Sequence, residues 1–321
     1  MTALSRREFG RLITTAAPLV GLAASTRTFA LSPLAVGVST LSFRDLPRVE
    51  GSDSVDALIR ALKTVGAAHV ELALSDVEPA PPSTASFVGG TPAYPRTITF
   101  TPEEIARIKT YARRQVREWR ARTEPRHFAD VRDTFASANL TVFSCALSYD
   151  DSFIDDEIEA TFRQVKALGL STVSSPMTMA TARRLAPFAE RHGVTVAIRN
   201  DVDGNPARSI ATSDLADALA LSPSFKLALD IANVTASNRD VLAELNRHET
   251  RLSQVVVRDR LRNGGSSQHF GEGDTPIADV LKRLKASEFR IPAVVEVDYV
   301  GLYSSVDEVT ASIKYVAKAI E

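Results

Sequence analysis

Short apolar runs alternate with amphipathic stretches along the chain from Leu34 to its end. The apolar runs are rich in β-branched residues and have the length of buried strands, whereas the amphipathic stretches have helical spacing. Strands that alternate regularly with helices are typical of parallel βα units. The pattern predicts eight strands, at residues 34–40, 69–74, 141–147, 171–175, 194–199, 226–231, 254–258 and 293–297.

A helix is predicted after each of these strands. Ser305 opens the last one, with Glu308 three residues later in the form of a capping box. The predicted helices begin at about Ser54, Phe128, Asp155, Ala180, Ser213, Asn238, Thr275 and Ser305. Eight strands and eight helices predict an α/β fold, a single (β/α)8 TIM barrel over residues 32–321. An open doubly wound sheet is the alternative, but no glycine fingerprint follows the first strand.

The connection after the second predicted strand, residues 76–100, departs from this pattern. It is long and contains five prolines and two glycines. Such a connection is usually functional or mobile, which predicts either a lid over the barrel mouth or a loose surface excursion. An extra helix is predicted to begin after Thr101. Trp119 in this helix would either stack on a sugar ring or anchor the helix to the barrel.

The residues before the barrel have the pattern of a targeting segment. The motif SRREFGR begins at Ser5, precedes a moderately apolar run at residues 12–24, and resembles a twin-arginine export signal. The run is too short for a stable bilayer-spanning helix, so we expect no stable membrane span after signal removal. We assign residues 1–30 to this signal peptide. The resemblance implies that the mature domain works in the periplasm or outside the cell.

Composition narrows the class of ligand. The net charge is −1 and there is no basic run, which argues against a nucleic-acid partner and leaves small uncharged or weakly charged molecules. Cys145 is the one cysteine of the sequence, so no intramolecular disulfide and no thiolate metal cluster can form. Its place in the apolar run VFSCAL predicts a small buried residue.

Alternation within the strands predicts which polar side chains face the barrel interior. It places Arg199, Asp230 and Glu296 inward, late in strands five, six and eight, with Asp298 just beyond. Barrels of this type carry their chemistry at the carboxyl ends of the strands. Three polar groups at matching depth predict a functional site, and a structural ion pair between two of them is the alternative.

Several motifs stand in order along the chain: KTVGAAHVEL from Lys63, REWR from Arg117, then DDSFIDDEI, KALG, LDIAN, VVRDR, FGEGDTPI and IPAVVEVDY. Together they resemble the sugar phosphate isomerase/epimerase family, whose fold is the xylose isomerase-like barrel. The resemblance runs from about Leu34 to the end of the chain. FGEGDTPI, followed by a strand ending in glutamate, is its most specific part.

The resemblance implies one divalent metal held by acidic residues or histidines late in strands five to eight. Asp230 and Glu296 match the ligands of strands six and eight, whereas the other matched positions hold Arg199, Val256 and Asn233. Arginine stays protonated and valine has no lone pair to donate. We therefore expect no cofactor, and the alternative is one divalent ion such as manganese or zinc on Asp230 and Glu296.

The resemblance, the export motif and the incomplete ligand set together predict an exported isomerase or epimerase that acts on a carbohydrate or derivative by proton transfer next to a carbonyl, without the usual metal. Glu296 would be the base, Arg199 the electrophile, and Asp230 would orient Arg199. For Arg258, Asp259 and Arg260 the alternative role is a salt-bridged rim around the barrel mouth, which is common for an RDR run after a strand. The predicted substrate contacts are Arg258, Asp259, Arg260, His269, Glu71 and Trp119. The alternative function is a catalytically inactive barrel that binds a carbohydrate.

Overall fold

In a computed structural model of the chain, the described residues are 34–82, 84, 87–91, 94–203, 209–299 and 301–321. The predicted signal peptide, residues 1–30, lies outside them. No helix among the described residues combines the length and the apolar character that crossing a bilayer would require.

Eight parallel strands close into a barrel, which confirms the predicted fold. They are β1 (Val36–Ser39), β2 (His69–Ala73), β5 (Thr141–Ala146), β6 (Thr172–Ser175), β7 (Thr195–Arg199), β8 (Phe225–Asp230), β9 (Leu252–Val257) and β12 (Ala293–Val295). Each coincides with one predicted strand. Their order around the barrel is β1-β12-β9-β8-β7-β6-β5-β2, so neighbours in the chain are neighbours in space and β12 closes on β1. Two short hairpins lie outside the barrel: β3 (Phe87–Thr91) with β4 (Tyr94–Ile98), and β10 (Asp259–Arg260) with β11 (Ser267–Gln268).

The α-helices surround the barrel and cover its apolar outer face. They are α1 (Val55–Thr64), α2 (Pro102–Arg122), α3 (Pro125–Ser137), α4 (Asp155–Ala167), α5 (Met179–His192), α6 (Leu215–Ala220), α7 (Ile231–Ala236), α8 (Val241–His248), α9 (Ile277–Lys285) and α10 (Ser305–Ile320). The main hydrophobic core lies between strands and helices and includes Cys145, as expected. Burial raises the pKa of the Cys145 thiol, so this side chain is an inert packing group.

The cap of the last helix and the segment after β8 differ from the predictions. The N-cap of α10 is Ser304 rather than Ser305, and its hydroxyl accepts from the backbone N–H of Asp307. Glu308 therefore makes no capping box and bonds to Tyr299 instead. Helix α7, which follows β8 without a loop, was missed because six residues are too few to show helical periodicity.

The excursion after β2 contains the β3–β4 hairpin and leads into the predicted extra helix, α2. Thr101 caps this helix in a reciprocal box: its hydroxyl accepts from Glu104 N–H, and the Glu104 carboxylate accepts from Thr101 N–H. Helix α2 lies against α4 on the outside of the barrel. No residue of α2 lines the cavity at the barrel mouth.

Candidate active site

A cavity of about 380 Å³ opens at the carboxyl ends of the barrel strands. Its walls come from residues at or just after the ends of all eight strands, where the barrel topology gathers them. The lining residues are Leu41, Arg44, Ala73, Ser75, Ala146, Leu147, Ser148, Ser174, Pro176, Arg199, Asn200, Asp201, Asn233, Arg258, Glu296 and Asp298.

Arg199 lies at the centre of this face and binds two carboxylates. Its Nη1 and Nη2 donate to Glu296 Oε2 and Oε1 at 2.9 and 2.7 Å, in a bidentate pair. Its Nε and Nη2 donate to Asp230 Oδ2 at 3.3 and 3.2 Å. The structure thus brings together the three inward residues singled out in strands five, six and eight. We call them, with Arg258 and Asp298, the mouth cluster.

Arg258 is the second guanidinium of the mouth cluster. Its Nη2 lies 2.6 Å from Asp230 Oδ2, and its Nη1 forms an ion pair with Asp298. Asp230 Oδ2 therefore contacts two guanidiniums, while Asp230 Oδ1 accepts from Asn233 N–H and caps α7. The carboxylate of Asp230 is fixed from both sides.

The charges of the cluster set the proton affinity of Glu296. Burial acts to raise the pKa of this carboxyl group, but the charge and hydrogen bonds of Arg199, together with Arg258, outweigh burial and lower it to about 2. For Arg199, burial acts to lower the pKa, and Glu296 and Asp230 raise it well above its usual range. The pair is therefore ionised throughout the physiological range, and Glu296 is a very weak base.

The donor set at the mouth does not fit a divalent metal. Both carboxylates that would be ligands are engaged by arginine, and the described residues contain no group of three or more His, Cys, Asp or Glu side chains that could hold a metal ion. Val256 lies in a small apolar cluster with Ala197 and Ala228. A protonated guanidinium occupies the place between Asp230 and Glu296 where a cation would bind.

Two of the predicted substrate contacts stabilise the glycine-rich loop instead. Asp259 accepts from the backbone N–H groups of Gly271, Gly273 and Thr275 at 2.8, 3.0 and 3.2 Å. A β-carbon at Gly273 would overlap the Asp259 carboxylate, which explains the glycine in FGEGDTPI. Arg260 donates to Gly265 O at 2.9 and 2.7 Å, so it holds the same loop closed. Of the RDR run, Arg258 alone lines the cavity.

The other three predicted contacts also lie away from the cavity lining. His269 Nδ1 lies 3.0 Å from Glu308 Oε2, and its ring centroid is 4.5 Å from that of Tyr299. Trp119 packs edge-on against His127 and Phe128 of α3, so it anchors the extra helix to the barrel. Glu71 lies below the cavity floor, where its Oε1 accepts from Ser174 Oγ at 2.6 Å. None of the three is placed to touch a ligand in this cavity.

Two cavity residues that bond directly to the mouth cluster were not predicted. Arg44 follows β1 and donates to the backbone oxygen of Asp298 at 2.9 Å. Asn200 follows β7, accepts from Asp230 N–H at 2.7 Å and donates to Asp230 O at 3.2 Å. Asn200 comes directly after β7, and Arg44 follows β1 after a short 3-10 turn. This position was the available signal, because the residues that follow strands form the mouth.

Fold and site together define a TIM barrel with a polar, ion-paired mouth. Residues 176–319 match the model of the xylose isomerase-like TIM barrel family, and this range includes the inward residues of the mouth cluster. No curated protein matches the chain. The solved structures described next are at most 14% identical to this chain, so they show a similarity of fold.

Three solved structures illustrate it. A xylose isomerase domain protein from Alicyclobacillus acidocaldarius has a TM-score of 0.59 at 13% identity, over 89% of this chain and 98% of that one. L-ribulose 3-epimerase has a TM-score of 0.58 at 11% identity, over 89% and 94%. A sugar phosphate isomerase/epimerase from Parabacteroides distasonis has a TM-score of 0.54 at 14% identity, over 90% and 98%.

Proposed function

We propose that this barrel binds a small carbohydrate or carbohydrate derivative in the mouth cavity and does not transfer protons through Glu296. The observation that carries the proposal is the bidentate pair between Arg199 and Glu296. In this pair the candidate base of an isomerase, Glu296, is bound to the candidate electrophile, Arg199, so neither group is free to act on a substrate.

The strength of the base decides between the two functions. A general base works best when its pKa lies near the operating pH, and each unit below that costs about 1.4 kcal/mol of driving force. With a pKa of about 2, Glu296 is poorly suited to removing a proton next to a carbonyl. Arg199 is not available as an electrophile either, because its Nε, Nη1 and Nη2 all donate hydrogen bonds within the mouth cluster.

The cavity itself suits a sugar-sized ligand. Its volume of about 380 Å³ falls at the lower end of small-molecule sites, which span roughly 300–1,000 Å³. Serine and asparagine side chains can bond to hydroxyl groups, while Leu41, Leu147 and Pro176 offer apolar surface to a sugar ring. The epimerase and isomerase named among the structural neighbours support a carbohydrate as the ligand class.

A metal-independent isomerase or epimerase is the second candidate. It is favoured by the placement of a carboxylate beside fixed guanidiniums at a cavity, the arrangement that enolate chemistry requires. For this chemistry a bound substrate would have to separate Glu296 from Arg199, which restores the basicity of Glu296.

Solution NMR in deuterated buffer tests both functions. A panel of aldoses, ketoses and sugar acids is titrated onto the protein, and deuterium incorporation next to the carbonyl is followed at the same time. We expect saturable binding of at least one carbohydrate without deuterium incorporation, both before and after dialysis against EDTA. Incorporation that disappears in Glu296→Gln would instead establish the isomerase, and one tightly bound manganese or zinc ion per chain would contradict the arginine-filled mouth.

A matched pair of variants locates the binding. Ser148 lines the cavity after β5, whereas Thr141 is exposed at the opposite end of the same strand. Ser148→Trp should fill the cavity and abolish binding, and Thr141→Trp should leave it unchanged. Equal effects of the two substitutions would place the ligand elsewhere.

We further propose that the protein acts in the periplasm or outside the cell after loss of about its first 30 residues. The support is the twin-arginine motif, and the first barrel strand begins at Val36. A chain that begins at Ser32 is expected to be soluble and to unfold cooperatively in urea. Aggregation or a broad, non-cooperative transition of that chain would show that the removed residues belong to the fold.

A further inference from the structure

Glu71 is a buried glutamate that lies deeper in the barrel than the mouth cluster and is not part of it. Glu71 is fully buried on β2, and its Oε1 accepts from Ser174 Oγ and from Gln254 Nε2. These donors come from β6 and β9, so the three side chains cross the barrel interior. Ser174 also lines the mouth cavity, which places Glu71 directly beneath the cavity floor.

Four oxygens around this carboxylate have no hydrogen-bond partner among the described residues. They are Glu71 Oε2, Gln254 Oε1, Ser39 Oγ and Ser144 Oγ. All four residues are at most 1% exposed. Buried polar atoms are normally satisfied, so a group of unsatisfied ones indicates a missing partner.

The strand register makes these oxygens converge. Ser39 on β1 and Ser144 on β5 are the direct neighbours of Glu71 on either side, and neighbours in register present their side chains on the same face. Glu71 points inward, so both serines do as well. The Gln254 oxygen belongs to the amide whose nitrogen already bonds to Glu71. The four side chains therefore face the same part of the barrel interior.

Charge distinguishes Glu71 from the carboxylates above it. In the mouth, Asp230, Glu296 and Asp298 are balanced by Arg199, Arg258 and Arg44, the last bonded to the backbone of Asp298. Glu71 has no ion-pair partner among the described residues, and Arg199, whose charge acts on it at longer range, is already paired with Asp230 and Glu296. A buried carboxylate that is not fully compensated is costly, and a bridging water would satisfy its hydrogen bonds but not its charge.

We propose that a monovalent alkali cation binds inside the barrel, beneath the mouth cavity, on Glu71 Oε2, Gln254 Oε1, Ser39 Oγ and Ser144 Oγ. Oxygen ligands suit hard cations. A single carboxylate with three neutral oxygens balances one positive charge, which selects a monovalent ion over a divalent one. This site is separate from the arginine-filled position between Asp230 and Glu296.

Unfolding in different salts tests the proposal. Urea unfolding of the wild-type protein is measured over a series of sodium chloride concentrations, with choline chloride added to keep ionic strength and chloride constant. Because one ion binds the folded state, a tenfold rise in sodium above its dissociation constant should lower the unfolding constant about tenfold. Equal stability in sodium and choline at every concentration would overturn the proposal.

Two variants locate the effect. Glu71→Gln keeps the shape of the side chain and removes its charge, so the sodium dependence should disappear. Glu78→Gln is the matched control, because Glu78 is also buried but is already paired with Arg120. The control is expected to lose stability and keep the full sodium dependence. If both variants respond to sodium as the wild type does, the ion binds elsewhere and the assignment to Glu71 is wrong.

Crystals give a readout that does not depend on a folded Glu71 variant. Crystals of the wild-type protein grown in rubidium chloride should show an anomalous peak within bonding distance of Glu71 Oε2. Ser144→Ala, which removes one neutral ligand, should weaken this peak. Density at the site without anomalous signal would identify a water molecule and refute the cation.

Discussion

Arg199→Ala is expected to lower the free energy of unfolding by about 3–5 kcal/mol at neutral pH. The substitution leaves Glu296, which is 3% exposed, without its bidentate partner and leaves Asp230 with Arg258 alone. Breaking a buried ion pair from one side costs more than the pair itself contributes, because an uncompensated charge stays buried. Urea unfolding monitored by circular dichroism measures the change.

The stability lost in Arg199→Ala should depend on pH in a defined direction. In the wild type, the pKa of Glu296 is depressed from 4.5 to about 2, so its contribution is fully present above pH 4.5 and is lost as the pH falls towards 2. In Arg199→Ala, burial outweighs the remaining charges and the pKa of Glu296 should rise above its ordinary value. The variant should therefore recover part of its lost stability as the pH is lowered from 7 to 5.

Arg44 supplies the matched control for Arg199. It lines the same cavity but is exposed, and its hydrogen bonds go to backbone oxygens. Arg44→Ala should therefore cost at most about 1 kcal/mol. A loss of less than about 1 kcal/mol in Arg199→Ala as well would show that the mouth cluster is hydrated and that its buried charges are not held by this arginine.

Arg120→Ala should have an effect of similar size at a second buried ion-pair cluster, about 3–5 kcal/mol. Arg120 of α2 donates to Glu78 at 2.6 and 3.0 Å and to Glu157 of α4 at 2.8 Å. Glu157 keeps a bidentate bond from Arg113, so the uncompensated charge falls on Glu78. Differential scanning calorimetry and urea unfolding at pH 7 measure the loss.

Protonation of Glu78 at acidic pH should reduce the loss of stability in Arg120→Ala. Burial already raises the pKa of Glu78 in the wild type, and Arg120 opposes this rise. Without Arg120 the pKa should rise further, so the folded variant gains a proton more readily and its deficit shrinks between pH 7 and pH 5. Arg114→Ala on the same helix is the control: its pair with Glu118 is exposed, so it should change stability by no more than about 0.5 kcal/mol. Equal losses in the two variants, or a deficit that grows in acid, would contradict this account.

The barrel and the inward residues of its mouth could be predicted from sequence because both follow from short-range patterns. Valine-rich runs fix the strands, and alternation within a strand fixes which side chains face inward. Closure of the barrel then brings late positions of different strands to the same depth, as it does for Arg199, Asp230 and Glu296. Predicting the strands and the inward-facing residues therefore required no knowledge of contacts between residues far apart in the chain.

The loop residues could not be placed in this way. The partners of Asp259 are backbone N–H groups twelve to sixteen positions later, and His269 in the loop contacts Glu308 on α10. Such pairings depend on how a loop closes, which periodicity does not encode. The sequence likewise showed that Arg258 follows a strand. It did not show that Arg258 and Arg199 would both pair with Asp230.

The sharing of Asp230 between two guanidiniums restricts how this sequence can evolve. Loss of Arg199 leaves Arg258 on Asp230, so one substitution neither frees that carboxylate for a metal ion nor keeps the buried charges balanced. A sequence that holds both arginines must pass through a less stable intermediate on any stepwise route to a metal-binding mouth. Each of the two arginines therefore makes replacement of the other costly in stability.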